Sequence, residues 1–424
     1  MIHTKSKKRR LTLCNKSEDL PDDHIPLPDY AVSFTVHDAI ESIDDLWDAT
    51  IGQEQFARSP YLKTIERDSP STLKNLYVLY HSKDGKVIGA LLLQHLLLDF
   101  SESFQYENYS TDRSLYSTWL QKIRQKLISL LKFRMMTVGN LYLTGHYGFR
   151  FLSDRLEQQE IFQIINKTLK ILSKELCNTP FRFGGVLYKD FFEDQKPPDS
   201  KKLGMSEFFF DPNMILHINP NWQSFDDYLL DMRSKYRIRL KSAIRKFGDI
   251  EKREMTLAEI KINNDAIYKL YNSILDGSGF VLAKGEKEYF LSLKEELGDD
   301  FHLIGYFKGE KLIGFYTWVL DEGKMDSHFI GFDLSLNHKH QLYLNILLDL
   351  VRDAIDQKAT SLYYFRTALE IKSSVGAIPK EMSCYFRHNN FILNRYIIPP
   401  IFRSFVPKQK WEQRHPFKTL PSAG

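Results

Sequence analysis

Cysteine is scarce in this chain. Its 424 residues contain three, Cys14, Cys177 and Cys384. They lie far apart and fit neither a metal-ligand spacing nor a disulfide framework, so a reducing cytoplasm is the expected setting, with no metal. Long apolar runs are missing too. No stretch reaches the roughly 18 residues of a membrane span. The nearest approach, VIGALLLQHLLLDF (87–100), is broken by Gln94 and His95 and reads as a strand. The first residues, MIHTKSKKRRLTLCNKSEDLPDDH, are basic without an apolar core, which argues against a secretory signal. Residues 1–29 are expected to be a mobile basic tail, and 407–424 a second tail.

Acidic residues are absent from Arg113 to Ser153. Within that window SLYSTWLQKIRQKLISLLKF (114–133) places Trp119 and several leucines near one side, accompanied by Lys122, Arg124 and Lys126. A Trp- and Leu-rich helix with a purely basic polar side suits the surface of an anionic membrane. Packing of the same stripe on the protein is the alternative. The expected location is cytoplasmic, with peripheral attachment to the inner face of the membrane.

What is present reads as globular: 43% hydrophobic, 26% charged, with 30 Phe and 22 Tyr. One phrase occurs twice. KDGKVIGALLLQ (83–94) and KGEKLIGFYTWV (308–319) place Lys83, Lys86, Ile88 and Gly89 on Lys308, Lys311, Ile313 and Gly314. Each follows an alternating apolar run, LYVLYHS (76–82) or FHLIGYF (301–307), so each copy reads as a β-hairpin closed by a polar turn. Later segments also correspond. TVGNLYLTG (137–145), the amphipathic helix 154–176 and FRFGGVLYK (181–189) match KMDSHFIGFD (324–333), the helix 337–358 and TSLYYFRT (360–367). AVSFTVH (31–37) and MILHI (214–218) read as opening strands, followed by helices at 42–51 and 224–247. The polar linker 193–204 contains two prolines. The expected organisation is two α/β (α+β) modules, 30–195 with an insertion at 100–136 and 208–406, joined through 196–207. Each would have a mixed, mostly antiparallel sheet flanked by helices.

A helical N-terminal part, an antiparallel hairpin and a strand–helix–strand crossover resemble the GNAT acyltransferase superfamily. Two such modules in tandem resemble its FemABX-like branch, which contains peptidoglycan aminoacyl transferases and bacterial ceramide synthases. SKYRIRLKSAIRKFGDIEKREM (234–255) is similar to that branch's basic helix leading into a strand, and YYFRTALEIKSSVGA (363–377) to its stretch after the last crossover strand. The resemblance covers about 30–406. It implies N-acyl transfer from an acyl-CoA or other thioester to a primary amine, with the amine of a lipid among the expected acceptors. The alternatives are an aminoacyl-tRNA-dependent ligase of peptidoglycan precursor synthesis, the one case with a nucleic-acid partner, and a non-catalytic module binding lipid or protein. One departure is the missing Gly-rich turn that holds pyrophosphate. The second module has only Gly331 there and the first only Gly145 and Gly148. His338, Lys339 and His340 are the side chains available to replace it.

In this fold the chemistry sits where the two central strands splay, which directs attention to 324–333 and 360–367. His328 is a candidate base with a pKa near working pH, or a core histidine. Asp326 and Asp333 are alternative bases. Tyr364 or Tyr363 could supply an acid, and Glu370 completes the catalytic candidates. Arg366 and Lys372 are candidates for a phosphate, carboxylate or oxyanion, and Lys372 matches the Lys that precedes a Gly in the resembling branch. Arg237 and Arg239, on a helix with seven cations from 231 to 247, could attract a phosphorylated ligand. The second module is expected to carry more of the chemistry. Lys189 and Asp190 in GGVLYKDFFEDQ leave the opposite assignment open, and the ligand is expected between modules.

Overall fold

The computed structural model describes residues 24–99, 132–152, 156–277, 283–397, 399 and 411–418. The expected membrane contacts Trp119, Lys122, Arg124 and Lys126 lie outside the described residues. Among the described residues no helix is long and apolar enough to cross a membrane.

The first half runs β1 (Ile25–Leu27), β2 (Val32–His37), α1 (Asp44–Ile51), α2 (Ser59–Arg67), β3 (Leu73–Ser82), β4 (Val87–Asp99), β5 (Lys132–Val138), β6 (Phe149–Phe151), α3 (Gln158–Glu175) and β7 (Gly185–Phe191). A connection carries β8 (Ser206–Phe209), β9 (Asn213–His217), α4 (Phe225–Asp231) and α5 (Ser234–Phe247). The second half runs β10 (Glu251–Glu254), α6 (Leu257–Ile262), α7 (Asn264–Leu275), α8 (Tyr289–Leu297), β11 (His302–Lys308), β12 (Lys311–Asp321), β13 (Lys324–Phe332), α9 (Leu334–His340), α10 (Leu342–Asp356) and β14 (Ser361–Tyr363). It closes with α11 (Leu369–Ser374), β15 (Ile378–Lys380) and β16 (Ser383–His388).

The repeated phrase forms the hairpins β3–β4 and β11–β12, both antiparallel. Each turn carries a glycine at positive φ, Gly85 at 79° and Gly309 at 59°, a conformation side chains disfavour. In each half the hairpin's second strand is followed across the sheet by a parallel pair, β5 with β7 and β13 with β14. Those pairs are bridged by the crossover helices α3 and α10. The two halves therefore share one strand order, in tandem, with mixed sheets flanked by helices.

Several expectations need correcting. Residues 25–27 are not tail but a strand paired with Val32–Phe34. Residues 411–418 return to the body: Phe417 is buried in the second core and bridges to Met232. The segment 213–217 does not open the second module. It lies beside β14, antiparallel, and β10 holds the outer position against β11. The helical periodicity across 224–247 is interrupted at Met232, whose backbone is extended, giving α4 and α5. The strand expected over 137–145 ends at Val138, and 139–148 is a largely buried loop.

The first sheet also borrows a strand from the C-terminal part. β16, from the C-terminal part, pairs antiparallel with β7 and with β8, so the first sheet reads β1-β2-β3-β4-β5-β7-β16-β8, with β6 on β4. β9, from the connection, sits between β14 and β15 in the second sheet, β10-β11-β12-β13-β14-β9-β15. The module limits 30–195 and 208–406 therefore do not follow sheet membership. One apolar cluster spans both halves and joins Trp47, Tyr61 and Tyr147 to Tyr289, Phe290 and Phe315. α10 is buried on nearly all sides, which exceeds the one apolar face read from its periodicity. The reason is α5: Asn345 on α10 donates through Nδ2 to the Ala243 carbonyl, 3.0 Å away.

Candidate functional site

β13 and β14 pair only from Lys324↔Ser361 to Asp326↔Tyr363. β13 continues to Phe332, while the other chain turns away after Tyr363. A cavity of about 380 Å³ occupies the opening. Its walls come from β13 (Ser327–Ile330), the turn after β14 (Tyr364–Thr367), α7 and α10, and from Leu141–Thr144 and Lys189 of the first half. It lies between the halves.

The turn is conformationally costly. Phe365, Thr367 and Ala368 have φ of 57°, 69° and 48°, a region that non-glycine residues seldom occupy. Lys372 holds it. From the first turns of α11 its Nζ donates to the carbonyls of Tyr364 at 2.7 Å, Arg366 at 2.6 Å and Phe365 at 3.3 Å. Burial pushes the Lys372 ammonium down to about 7, against the nearby Asp211. Three carbonyl acceptors match the three N–H bonds of the charged form, so the cation is the species this turn is built around.

Arg366 leaves the same turn and binds across the halves. Its guanidinium donates to the Asp190 carboxylate and, through Nε, to the Asp211 carbonyl at 2.9 Å. Asp190, fully buried with φ of 62°, also accepts from Lys189. Burial alone would raise the Asp190 carboxyl, but Arg366 and Lys189 outweigh it and hold it well below the ordinary range. Burial lowers Lys189. It also pushes the Cys384 thiol, which donates to Asp190 at 3.2 Å, up to about 12. Two cations thus share one buried carboxylate at the cavity's edge, with Lys372 and Asp211 beside them.

His328 lines the opposite wall. Its ring lies against Phe56 at 4.9 Å and Phe329 at 4.4 Å, and its Nε2 is 3.1 Å from the Tyr289 hydroxyl. Tyr289 in turn meets the Tyr61 hydroxyl at 3.2 Å. His328 Nδ1 is buried and has no partner among the described residues. Burial pushes the imidazole down to about 3, far from the near-neutral value expected from the sequence. The side chain is a neutral imidazole with one nitrogen uncommitted.

The structure brings His328, Tyr364, Arg366 and Lys372 to one cavity with Lys189 of the first half, and separates the candidates that follow from it. Tyr364 contributes to the wall, but its hydroxyl donates to the Leu347 carbonyl at 2.8 Å, and burial raises it well above its usual value. It is a poor acid there. Glu370 is exposed and pairs with Arg414. Arg237 donates to the Met232 carbonyl just ahead of its helix at 3.1 Å, and Arg239 is exposed. His338 and Lys339 are exposed on α9, while His340 is buried between Lys308 and the Lys246 carbonyl. Asp326 is bound by Lys324 at 3.0 Å and Tyr147 at 3.2 Å, and Asp333 caps α9.

The glycines have packing roles. A Cβ on Gly331 would stand 2.8 Å from the backbone of α7 at Leu270, so it permits helix–strand contact. Gly145 gives its N–H to Asp190 at 3.2 Å. Asp211, Tyr142, Tyr271 and Tyr289 are site residues that no motif announced. They come from α7, α8 and two connections, and converge only through the packing of the halves. Among the described residues no group of His, Cys, Asp and Glu is placed to hold a metal.

No protein-family model matches the chain, and no curated protein matches its sequence. Solved structures are similar at the level of the backbone. FemX is 10% identical over 87% of this chain and 98% of its own, with a TM-score of 0.46. L-PGS from Bacillus licheniformis is 10% identical over 81% and 93%, also at 0.46. A tandem GNAT protein from the clavulanic acid biosynthesis pathway is 10% identical over 84% and 98%, at 0.45.

Proposed function

We propose that this protein is an N-acyltransferase that moves an acyl group from a thioester, such as an acyl-CoA, to a primary amine. The observation that carries this reading is the shared chamber. A neutral imidazole with a free nitrogen and a cationic turn face one largely apolar cavity at the open end of a parallel strand pair. In the reaction the amine nitrogen adds to the thioester carbonyl, the C–S bond breaks, and the proton lost from nitrogen ends on the departing sulfur. The Lys189, Arg366 and Lys372 side favours the developing oxyanion, because charge in a water-poor site interacts strongly. His328 takes the nitrogen's proton at Nδ1. With so low a pKa it cannot deprotonate a free alkylammonium, so the acceptor enters as the neutral amine. Its task is the far more acidic proton of the tetrahedral adduct.

The test is mass spectrometry of mixtures of acyl-CoAs and primary amines incubated with the full chain. Amide and free CoA are expected in equal amounts, and His328→Phe, which fits the aromatic surroundings, is expected to slow their formation about 100-fold. No amide from any thioester and amine, with protein of intact fold, would overturn the proposal.

A further inference from the structure

We infer that residues 391–397, at one end of the first sheet, form a surface that rests on an anionic lipid bilayer. This is an interaction site apart from the cavity, and it stands without the acyl-transfer reading. Phe391, Ile392, Tyr396 and Ile397 are 73%, 61%, 66% and 40% exposed. Single exposed apolar residues are ordinary, whereas a contiguous group of large ones marks a contact surface. The segment is held outward by the body of the protein. Leu393 packs inward against the core that spans both halves. Asn394 donates through Nδ2 to the Gly204 carbonyl at 2.9 Å and accepts the His388 N–H at 2.8 Å. Asn390 Oδ1 accepts the N–H groups of Ile392 at 3.0 Å and Leu393 at 3.1 Å. Asn389 donates through Nδ2 to the Phe183 carbonyl at 3.2 Å and through its N–H to the Gly184 carbonyl at 2.7 Å. These bonds tie down the segment and fix the outward direction of its apolar side chains.

The partner's charge follows from what surrounds the patch. The sequence has no Asp or Glu from Met382 to Trp411, and Arg395 stands exposed among the apolar residues. The two strips of chain that hold the patch, 178–184 and 199–205, add exposed Arg182, Lys201 and Lys202 against Asp199 alone, which Lys202 binds at 2.8 Å. Cations in such excess around aromatic and branched aliphatic side chains match an anionic lipid surface. The apolar groups enter the acyl boundary while the cations meet phosphate. A second copy docking on the same patch would set this positive rim against itself. Topology adds an independent line. β16 ends at His388, opposite Gly185, the first residue of β7. Gly185 pairs with Met135, and β5 starts at Lys132, opposite Asp99, the last residue of β4. The chain therefore leaves β4, enters β5 and leaves β16 at one end of the first sheet. The sequence between Asp99 and Lys132 contains Trp119 and the cations expected to meet a membrane. Lys189, on the cavity wall, lies about 13 Å further along β7 than Gly185, so the patch is set apart from the reaction chamber.

The experiment is flotation of the full chain with vesicles of phosphatidylcholine alone or with about 30% phosphatidylglycerol, together with a reporter at the patch itself. An environment-sensitive dye is attached at Phe391→Cys, and for comparison at Ile262→Cys on α6, which is 81% exposed. Both are made in a Cys14→Ser, Cys177→Ser background, Cys384 being buried. Anionic vesicles should bind the protein at least about tenfold more tightly than neutral ones. Emission should shift to the blue and iodide quenching fall at 391, with neither change at 262. Phe391→Ser, Ile392→Ser and Tyr396→Ser combined should weaken binding about tenfold, and Arg395→Glu alone should do the same. The second variant keeps the apolar residues should the first fail to fold. Vesicle binding with no change at 391 would assign the contact elsewhere and overturn this surface. So would absence of vesicle binding, equal binding to both vesicles, or unaltered binding by a folded variant. A concentration-dependent dimer abolished by the triple variant would overturn it in favour of a second copy. Every readout is independent of amide formation, so the loss of this inference and the loss of the acyl-transfer reading are separate results.

Discussion

His328 illustrates how burial decides what a side chain can do. Its sequence context, mid-strand beside an aspartate, gave no hint of the aromatic enclosure by Phe56, Tyr61, Phe301 and Phe329. That enclosure lowers the pKa from 6.5 to about 3, so the folded protein binds fewer protons here than the unfolded chain between those values. The associated stability is complete above pH 6.5 and declines as pH falls through the window. At pH 4.5 it should be smaller than at pH 7 by about 2–3 kcal/mol, since each unit corresponds to about 1.4 kcal/mol. Urea unfolding of wild type and His328→Phe at both pH values checks this, the variant lacking that part of the decline. Activity should show no titration of this group between pH 5 and 8. Candidates such as Glu370 and Lys339 were legible as charged residues near the right segment. Which way they pointed depended on partners such as Arg414, distant in the chain.

The turn between β14 and α11 is the element on which the cavity depends. Its three left-handed residues carry side chains, so the conformation persists because Lys372 ties the carbonyls together. Lys372→Met keeps the stem and removes the donors. It should cost about 2–3 kcal/mol, from unmet carbonyls and released backbone, and should abolish ligand-induced stabilisation. Thermal and urea unfolding with and without ligand measures both, and an undiminished ligand response would show that the turn does not shape the cavity. The place of Lys372 after the last crossover strand was readable in the sequence, but its bonds to three backbone carbonyls were not. The hairpins and crossover helices were readable from local periodicity and turn chemistry. β10 was harder: EKRE has no apolar alternation, because its side chains sit at an exposed sheet edge. The 139–148 loop looked like a strand because its apolar residues serve the contact between halves, where burial imposes no period of two.

At the scale of the molecule the halves meet through apolar packing, through the Arg366–Asp190 group and through a further buried polar cluster. There Lys324 contacts Asp326 and Tyr147, and Glu54 lies beside them. Burial, with Asp321 and Asp326 adding, raises the Glu54 carboxyl from 4.5 to about 7, against Lys324 and Arg150. The folded form therefore binds more protons between those values. Its contribution is fully present below pH 4.5 and is lost as pH rises to 7, opposite in sign to His328. Glu54→Gln should stabilise the protein at pH 8 by about 1–2 kcal/mol, after allowance for partial solvent contact, and change little at pH 4.5. Denaturant midpoints at the two pH values check it. With a common core and β16 lent by the C-terminal part to the first sheet, calorimetry should record one unfolding transition for both sheets.

The placement of β16 in the first sheet has a further consequence for how such a chain could be taken apart. The first sheet receives an inner strand, β16, encoded on the far side of the linker, beside its parallel pair β5 and β7. A cut near residue 200 would leave an N-terminal fragment without the strand that covers β7, exposing that strand's hydrogen-bonding edge. Neither piece is a self-sufficient building block, and the architecture is passed on as a single unit or not at all.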